Sequence, residues 1–562
     1  MDAGQLNTLE WIQSFKKRYG RPPRVLHIGN IANNAYINAK LLNKAGLDCD
    51  VICYNYYHIM GCPEWEDAAF DGDINNQFYP DWRSVNLNVF KRPQWFAQGP
   101  LRLCIYYLIE RRDGKRLKAR FFWHILGISR HLRCLRTTVV ERRFLRAAWR
   151  GFRPYLATVQ DRLSALRARW FPLGRLIYYC VLFVCIPFII LFYLSLTFVV
   201  LPVKIVKRIF YCFEPTDTEK YSFENRAKEL VKDFTKKFPE RVDKLTKNDL
   251  VGYKHYIPLW RNLFSRYDII HAYATDGIYP LLARVPYVAY EHGTIRNIPF
   301  EQITQGRLCA LTYKLADRVC ITNADNIAAA KKLGLDNYKF VPHPVNEEFL
   351  APDQESEALS ISLHERLDSD FIVFHPSRQH WEKQRHPDWE KGNDIFIRGF
   401  ARFASEVNPK AAAIFVEWGK SVTDSMKLLE GLGIANKILW IPPQPNRRMV
   451  RYLHATDLVA DQFHLGAFGS TMPKALACGK LAMLYLNLDI HKWCFDEMPP
   501  VINAGTEEDV FEGLVKVYTD EDWVAQLAAE GMSWYEKYHS NRVVLEELLA
   551  AYRDVLTGSG KL

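Results

Sequence analysis

The chain has 562 residues, of which 49% are hydrophobic and 24% are charged, and its formal net charge is +11. This length is too great for one hydrophobic core, and the composition excludes a disordered or collagen-like chain. The positive charge is concentrated in residues 101–175, which carry 19 Lys and Arg against 4 Asp and Glu. A basic block rich in aromatic residues suits an anionic membrane surface, so we expect lipid headgroups, not nucleic acid, as its partner.

The cysteines and the first residues indicate a reducing compartment. Twelve cysteines are spread along the chain without a Cys-x-x-Cys pair or a Cys/His cluster, so no zinc or disulfide framework is predicted. The first 20 residues contain charged side chains and no apolar core, which is not typical of a signal peptide.

Short apolar strands alternate with helices in the first part of the chain. Arg24 to Asn30 reads as a strand followed by a glycine, Asn33 to Leu47 as a helix, and Asp48 to Asn55 as the next strand. The same alternation returns at Tyr267 to Ala274, Val285 to Gly293 and Ala316 to Asn323. We therefore predict one Rossmann-like domain with a parallel sheet, built from residues 1–95 and 255–345.

The intervening residues 96–254 are predicted to be a helical, membrane-associated insertion. Leu176 to Val203 is an uncharged run of 28 residues with basic residues at both borders, and Pro187 divides it. A single span would put the two halves of the sheet on opposite sides of a membrane, so a re-entrant hairpin is favoured. The alternatives are an apolar core helix and a single span. Lys118 to Arg169 reads as amphipathic helices in the membrane interface or as basic helices packed on the protein.

A second alternating array follows the linker Val341 to Phe349. Its predicted strands are 371–377, 411–419, 437–443, 456–462 and 481–487, with helices at 394–406 and 423–432 between them. Residues 346–540 thus form a second Rossmann-like domain, and residues 541–562 form a terminal helix and tail. Two such α/β domains joined by a linker place a ligand cleft between them.

Two features of the second array suit a diphosphate. Arg378 follows a strand and Lys391 precedes a helix, so a guanidinium and an ammonium group could together neutralise phosphate oxygens. In His464 to Lys480, a glycine-rich turn leads into a helix whose first amide groups can bind an anion. Each feature alone is weak evidence, and together they favour a nucleotide-diphosphate pocket.

The order of these motifs resembles that of the GT-B glycosyltransferases, above all the retaining enzymes of the family-four type. The shared features are a glycine turn after the first strand, His-Gly-x-x-Arg in the first domain, the Arg and Lys-Gly pair, and Gly-x-Phe-Gly followed by Lys-Ala-Leu-Ala-Cys-Gly-Lys. The resemblance implies a sugar nucleotide in the second domain and an acceptor in the first. If Arg378 and Lys391 neutralise the diphosphate, we expect that no metal or other cofactor is required.

The resemblance also implies roles for single residues. Arg378 and Lys391 would hold the donor diphosphate, the amides of Gly469, Ser470 and Thr471 would face the donor, and Gly29 and Asn30 would face its phosphates from the other domain. His292 would lie beside the transferred sugar as a catalytic residue.

The chain departs from the family pattern in one place. The family has two glutamates that contact the donor sugar and the ribose, and Gly466 and Lys474 stand in the matching positions here. Asp461 is predicted to replace the sugar contact as a second catalytic residue, and Lys474 to add a phosphate contact.

Carboxylates after the second strand are candidates for the acceptor site. Glu64, Glu66 and Asp67 could bind or deprotonate an acceptor hydroxyl, and the alternative is that they stabilise a helix N-terminus.

We therefore expect a monotopic membrane glycosyltransferase with its domains on the cytoplasmic face, which transfers a sugar from a nucleotide-diphosphate sugar to a lipid-linked or membrane-embedded acceptor. The alternatives are a sugar-nucleotide epimerase or hydrolase, and a membrane scaffold that has lost catalysis.

Overall fold

A computed structural model of the protein describes residues 3–70, 72, 74, 76–141, 222–381 and 390–562. Residues 1–126 and 222–562 form one compact unit, which contains two parallel β-sheets. The second unit is residues 127–221, of which the structure describes only the helical segment up to residue 141.

The first sheet has seven parallel strands in the order β3-β2-β1-β4-β5-β6-β7. The strands are β1 Arg24–Ile28, β2 Asp48–Tyr54, β3 Phe96–Gly99, β4 Ile269–Tyr273, β5 Tyr287–Tyr290, β6 Arg318–Ile321 and β7 Tyr338–Phe340. Their side chains are mostly buried, as expected for a sheet that is covered on both faces. Val25 of β1 pairs with Ile269 of β4, so the two distant halves of the chain build one sheet, as the sequence predicts.

The helices of this domain are α1 Ala3–Tyr19, α2 Asn34–Lys44, α3 Pro63–Asp67, α4 Leu101–Arg112, α5 Arg116–Glu141, α6 Phe223–Lys237, α7 Lys247–Val251, α8 Ile257–Phe264, α9 Ile278–Ala283, α10 Thr304–Lys314 and α11 Ile327–Lys332.

The predicted start of the insertion at residue 96 is too early. Strand β3 pairs with β2 at the edge of the sheet, from Phe96 opposite Val51 to Gly99 opposite Tyr54. Helix α4 is then held to the sheet by its arginines, since Nε of Arg112 lies 2.5 Å from Oδ2 of the fully buried Asp50. Part of the basic charge assigned to a membrane surface is therefore neutralised inside the domain.

The second sheet has six parallel strands in the order β10-β9-β8-β11-β12-β13. The strands are β8 Phe371–His375, β9 Ala411–Val416, β10 Ile438–Ile441, β11 Leu458–Ala460, β12 Leu481–Leu484 and β13 Ile502–Asn503. The helices are α12 Gln354–Leu367, α13 Asn393–Glu406, α14 Val422–Gly431, α15 Asn446–Ala455, α16 Thr471–Ala477, α17 Glu507–Thr519, α18 Glu521–Tyr538 and α19 Asn541–Gly558. The five predicted strands and two predicted helices are confirmed, and β13 is an additional strand. Two parallel-sheet α/β domains are the arrangement expected of the GT-B fold.

The chain passes between the two domains twice, and the two passages are bonded to each other. A carboxylate oxygen of Glu347 in the linker accepts hydrogen bonds from the Tyr535 hydroxyl at 2.8 Å and from the Asn541 amide at 2.6 Å. Helix α19 then returns to the first domain, where Tyr552 is buried and its hydroxyl lies 2.7 Å from Nδ1 of His271. The last helix thus completes the core of the first domain.

Helix α5 has one packed face and one exposed face. The ring of Phe122 lies 5.8 Å from that of Tyr106, whereas Leu117 is 83% exposed and Phe121 is 58% exposed. In the part of the chain that the structure describes, no helix has the length and apolar character needed to cross a membrane. The predicted hairpin, Leu176 to Val203, lies outside the described residues.

Candidate functional site

Each sheet has a topological switch point, where open parallel sheets bind their ligands. In the first sheet the strand order reverses between β1 and β4, and in the second it reverses between β8 and β11. The loop after β1 contains Gly29 and Asn30, and the loop after β11 begins at Asp461. Arg378 follows β8. Four predicted site residues, Gly29, Asn30, Arg378 and Asp461, therefore lie at or next to a switch point.

A cavity of about 250 Å³ lies between the two domains and contains four of the predicted site residues, namely Glu66, His292, Ser470 and Lys474. Its remaining lining comes from the loops after β1, β2, β5 and β6, from α2 and α3, from the linker and from the start of α15: Ala32, Asn33, Asn34, Ile37, Met60, Trp65, Arg296, Asn323, His343, Pro344 and Asn446. Most of these side chains are polar, as required to orient a hydrophilic ligand.

The loop that forms one wall of this cavity has a strained backbone. Ala32 and Asn33 are consecutive non-glycine residues with left-handed φ angles of 48° and 57°. Such conformations cost free energy and persist where surrounding contacts enforce them. Asn30 supplies those contacts, because its side-chain amide donates to Oδ1 of Asn33 and to the Gly61 carbonyl, both at 3.0 Å. The Asn30 side chain therefore supports the loop. That Gly29 and Asn30 face the phosphates of a sugar nucleotide stays a prediction.

His292 lies against this loop as a neutral imidazole. Its Nε2 is 2.9 Å from the Ile31 carbonyl oxygen and 2.8 Å from the side-chain amide of Asn34. Burial lowers the pKa of His292 to about 4, so the ring carries no charge near neutral pH. A neutral ring fixed in this way can orient a hydroxyl group or accept its hydrogen bond.

Two buried contacts fix the segment that follows His292. The Arg296 guanidinium pairs with Asp325, with Nη2 2.9 Å from Oδ1. Glu291 directly precedes His292 in the chain, and its carboxyl group accepts hydrogen bonds from the Asn326 side chain and from the Ile295 backbone amide. Burial raises the pKa of Glu291 to about 7. Arg296 thus brings a cation from the first domain to the cavity.

The second domain supplies a half-buried lysine, Lys391, at its switch point. Nζ of Lys391 donates to Oε1 of Gln462 at 2.5 Å, and burial lowers the Lys391 pKa to about 8, against the opposing effect of Asp461. Asp461 accepts a 2.7 Å hydrogen bond from the Ser377 hydroxyl, and burial raises its pKa. Asp461 and Lys391 therefore form one group with Ser377 and Gln462, and neither lines the 250 Å³ cavity.

Arg378 is exposed, with its guanidinium 5.7 Å from the Trp418 ring. It forms no ion pair with a carboxylate of the described residues. Both Arg378 and Arg296 lower the Lys391 pKa, which places three cations near one another across the cleft. Asp325 and Asp461 lie beside two of these cations, and the positive charge of Arg378 remains to bind an anion with several oxygens.

The structure explains why Gly466 and Lys474 stand at the positions that match the two family glutamates. Gly466 has φ +74°, and a Cβ atom there would lie 3.0 Å from Cβ of Asn487, so a glutamate side chain would be strained. Lys474 is 5% exposed, and its Nζ donates to Oδ1 of Asn446 at 2.8 Å.

The predicted anion-binding turn lies at the start of α16. Gly469 and Ser470 precede α16, and space is open around Gly469. Thr471 is the first residue of that helix.

Of the three predicted acceptor carboxylates, only Glu66 faces the cavity. Its Oε2 accepts from Asn446, and its buried Oε1 has no hydrogen-bond partner among the described residues. Glu64 instead forms a buried two-point ion pair with Arg92, at 2.6 and 2.9 Å. Asp67 binds within the domain interface, accepting from Tyr36, Lys40 and the Asn346 amide. Glu64 and Asp67 thus have structural partners.

Asn446 is the residue that sequence reasoning missed most clearly. It joins Glu66 of the first domain to Lys474 of the second. In the sequence, Asn446 is distinguished only by its position after Pro445 at the start of a helix. Many residues without a function occupy such a position. No group of three or more potential metal-ligating side chains occurs among the described residues. The prediction that no metal is needed stays a prediction.

Comparison with known proteins finds no family model that matches the sequence. The chain is similar in sequence to glycosyltransferases. It is 27% identical over 180 residues to the D-inositol 3-phosphate glycosyltransferase of Thermobifida fusca, which covers 30% of this chain and 40% of the relative. The corresponding enzyme of Acidothermus cellulolyticus is 25% identical over 175 residues, which covers 30% of this chain and 39% of the relative. The chain thus spans about two fifths of the length of these relatives.

Similar solved structures include HepE of Anabaena with UDP and glucose, at 17% identity and a TM-score of 0.44, covering 58% of this chain and 95% of that one. Sucrose-phosphate synthase of Thermosynechococcus elongatus is 12% identical with a TM-score of 0.42, covering 54% of this chain and 79% of that one.

Proposed function

We propose that the protein is a glycosyltransferase that moves a sugar from a nucleotide-diphosphate sugar to an acceptor bound by the first domain. The observation that carries this proposal is the cavity between the two domains, which combines His292 and Arg296 with Ser470 and Lys474. The sequence similarity to glycosyltransferases supports the same activity.

The cations of the cleft would do most of the chemical work. When the bond between the sugar and the diphosphate breaks, negative charge grows on the leaving phosphate oxygens. Arg378 and Lys391 would stabilise that charge without rearranging, because Lys391 is already fixed by Gln462. His292 would bind a hydroxyl of the sugar as a neutral ring. This scheme needs no metal ion.

The acceptor in this proposal is a lipid-linked or membrane-embedded molecule, and the protein lies on the cytoplasmic face of a membrane. The supporting features are the apolar run from Leu176 to Val203 with its basic borders and the exposed apolar side chains of α5, such as Leu117 and Phe121.

The test uses the full chain in detergent and a panel of UDP-, GDP- and ADP-sugars. We expect micromolar to millimolar binding of one nucleotide class by calorimetry, and transfer of labelled sugar to a lipid extract of membranes from the source organism, read by mass spectrometry. Transfer to water-soluble acceptors alone would refute the lipid acceptor.

A scaffold without catalysis is the second candidate, and the backbone at Gly466 favours it because that position cannot carry the family glutamate without strain. Absence of binding to every sugar nucleotide would replace the proposed enzyme with this scaffold.

A further inference from the structure

A carboxyl group that the sequence did not single out lies at the switch point of the first sheet. Asp276 follows β4, and its Oδ1 accepts a hydrogen bond from the hydroxyl of Tyr54 on β2. Its Oδ2 receives no hydrogen bond from the described residues and points at Gly29, where an added Cβ atom would lie 2.7 Å away. The loop that would face the donor phosphates therefore rests directly on this carboxyl group.

The backbone around Asp276 is fixed at some cost in free energy. Ala274 has a left-handed φ of 52° although it is not glycine. Gly277 approaches the Tyr287 ring so closely that a Cβ atom would lie 2.7 Å from it. Strained backbone of this kind is concentrated at functional sites. Burial also raises the Asp276 pKa to about 7, and no Lys, Arg or His of the described residues forms an ion pair with it.

The surroundings of Asp276 suit a sugar. The Tyr279 ring lies 5.9 Å from the Tyr54 ring and 5.6 Å from the Tyr253 ring, so the tyrosine that holds the carboxyl group belongs to a cluster of three, in which Tyr279 is buried and Tyr54 and Tyr253 are half-buried. Tyr253 belongs to the segment between α7 and α8, which follows the insertion in the chain. An oxygen acceptor next to aromatic faces is the chemistry that recognises a neutral ring bearing hydroxyl groups.

We infer that Asp276 and the tyrosines around it form the acceptor subsite, in which Oδ2 of Asp276 accepts a hydrogen bond from a sugar hydroxyl of the acceptor. This inference rests on the proposed transferase activity and extends it by naming a neutral sugar as the group that the first domain binds. Tyr54 is a positioning residue, because it holds Oδ1 and leaves Oδ2 available to the acceptor.

The test compares wild type with Asp276→Asn and with Tyr54→Phe, which removes only the internal hydrogen bond. Binding of the nucleoside diphosphate that the panel identifies is measured by calorimetry, and sugar transfer is measured against increasing amounts of the membrane lipid extract. We expect Asp276→Asn to lower the transfer efficiency for the extract by about 10- to 100-fold, because an amide NH2 in the place of Oδ2 cannot accept the acceptor hydroxyl, with nucleotide affinity unchanged. Tyr54→Phe should lower the efficiency less.

Three outcomes would contradict the inference. Wild-type efficiency in Asp276→Asn would show that the carboxyl group does not bind the acceptor. A parallel loss of nucleotide affinity and transfer would show that it only supports the Gly29 loop. If wild type itself neither binds any nucleotide of the panel nor transfers sugar, the proposed activity fails and the acceptor subsite fails with it.

Discussion

Lys391 of the second domain should make the reaction sensitive to alkaline pH. Lys391 has a pKa lowered to about 8 by burial, from a reference value of 10.5. If its charge stabilises the departing diphosphate, only the protonated enzyme is active. At pH 9, one pH unit above this pKa, about one molecule in eleven is protonated, so kcat/KM for the donor should fall about tenfold from its neutral value.

The assay is the initial rate of sugar transfer at donor concentrations well below KM, between pH 6.5 and 9.5, because kcat/KM reports the free enzyme. Lys391→Arg keeps a charge that persists above pH 12 and should remove the alkaline decline, at a reduced rate if the guanidinium fits poorly. Lys391→Met should lose about 100-fold or more at every pH. A wild-type profile that stays flat to pH 9.5, or a decline that persists in Lys391→Arg, would refute the reasoning.

Three further results follow from the structure. Arg378→Ala should reduce turnover by about 100-fold without lowering the melting temperature, because this side chain is exposed, whereas Arg402→Ala on α13 should leave turnover unchanged; equal rates for both variants would remove Arg378 from the site. Glu64→Gln should destabilise the protein by about 3–5 kcal/mol in urea unfolding, since it leaves Arg92 buried without its partner, and a stability equal to wild type would contradict the buried ion pair. Burial lowers the pKa of His27 from 6.5 to about 3. Below pH 6.5 the unfolded chain therefore binds a proton that the folded protein does not, and the free energy of unfolding declines as the pH falls toward 3. At pH 5 this loss is about 2 kcal/mol, and His27→Leu should lack it when unfolding is compared at pH 7.5 and 5.0.

Strand periodicity predicted most of both sheets, including the edge strand β10, but missed the edge strands β3, β7 and β13. Buried parallel strands such as Phe371–His375 are continuous apolar runs, which the sequence displays directly. Phe96–Gly99 ends in Gln98 and Gly99, and Ile502–Asn503 has only two residues, so neither is a continuous apolar run that the sequence displays. Edge strands of this length are defined by their neighbours, as β3 is by its pairing with β2.

The candidate site was harder to predict because its contacts join residues far apart in the chain. Glu64 and Glu66 are two residues apart and equally acidic, yet Glu64 meets Arg92 and Glu66 meets Asn446. No local pattern separates these outcomes, since the partner decides the role of each carboxylate. The same holds for Asp276, whose neighbours Tyr54 and Gly29 are more than 200 residues away in the chain.

The bonding of both interdomain passages to Glu347 limits how the cleft can open. Because the linker and the start of α19 share this carboxylate, sliding of the second domain along the first would break these hydrogen bonds, whereas a rotation about Glu347 would keep them. Such a rotation breaks the hydrogen bond from Asn446 to Glu66, so the Glu66 carboxylate must be rehydrated, while Lys474 and Asn446 move together. Water entering the cleft, or a ligand that replaces it, therefore sets the balance between the open and closed forms.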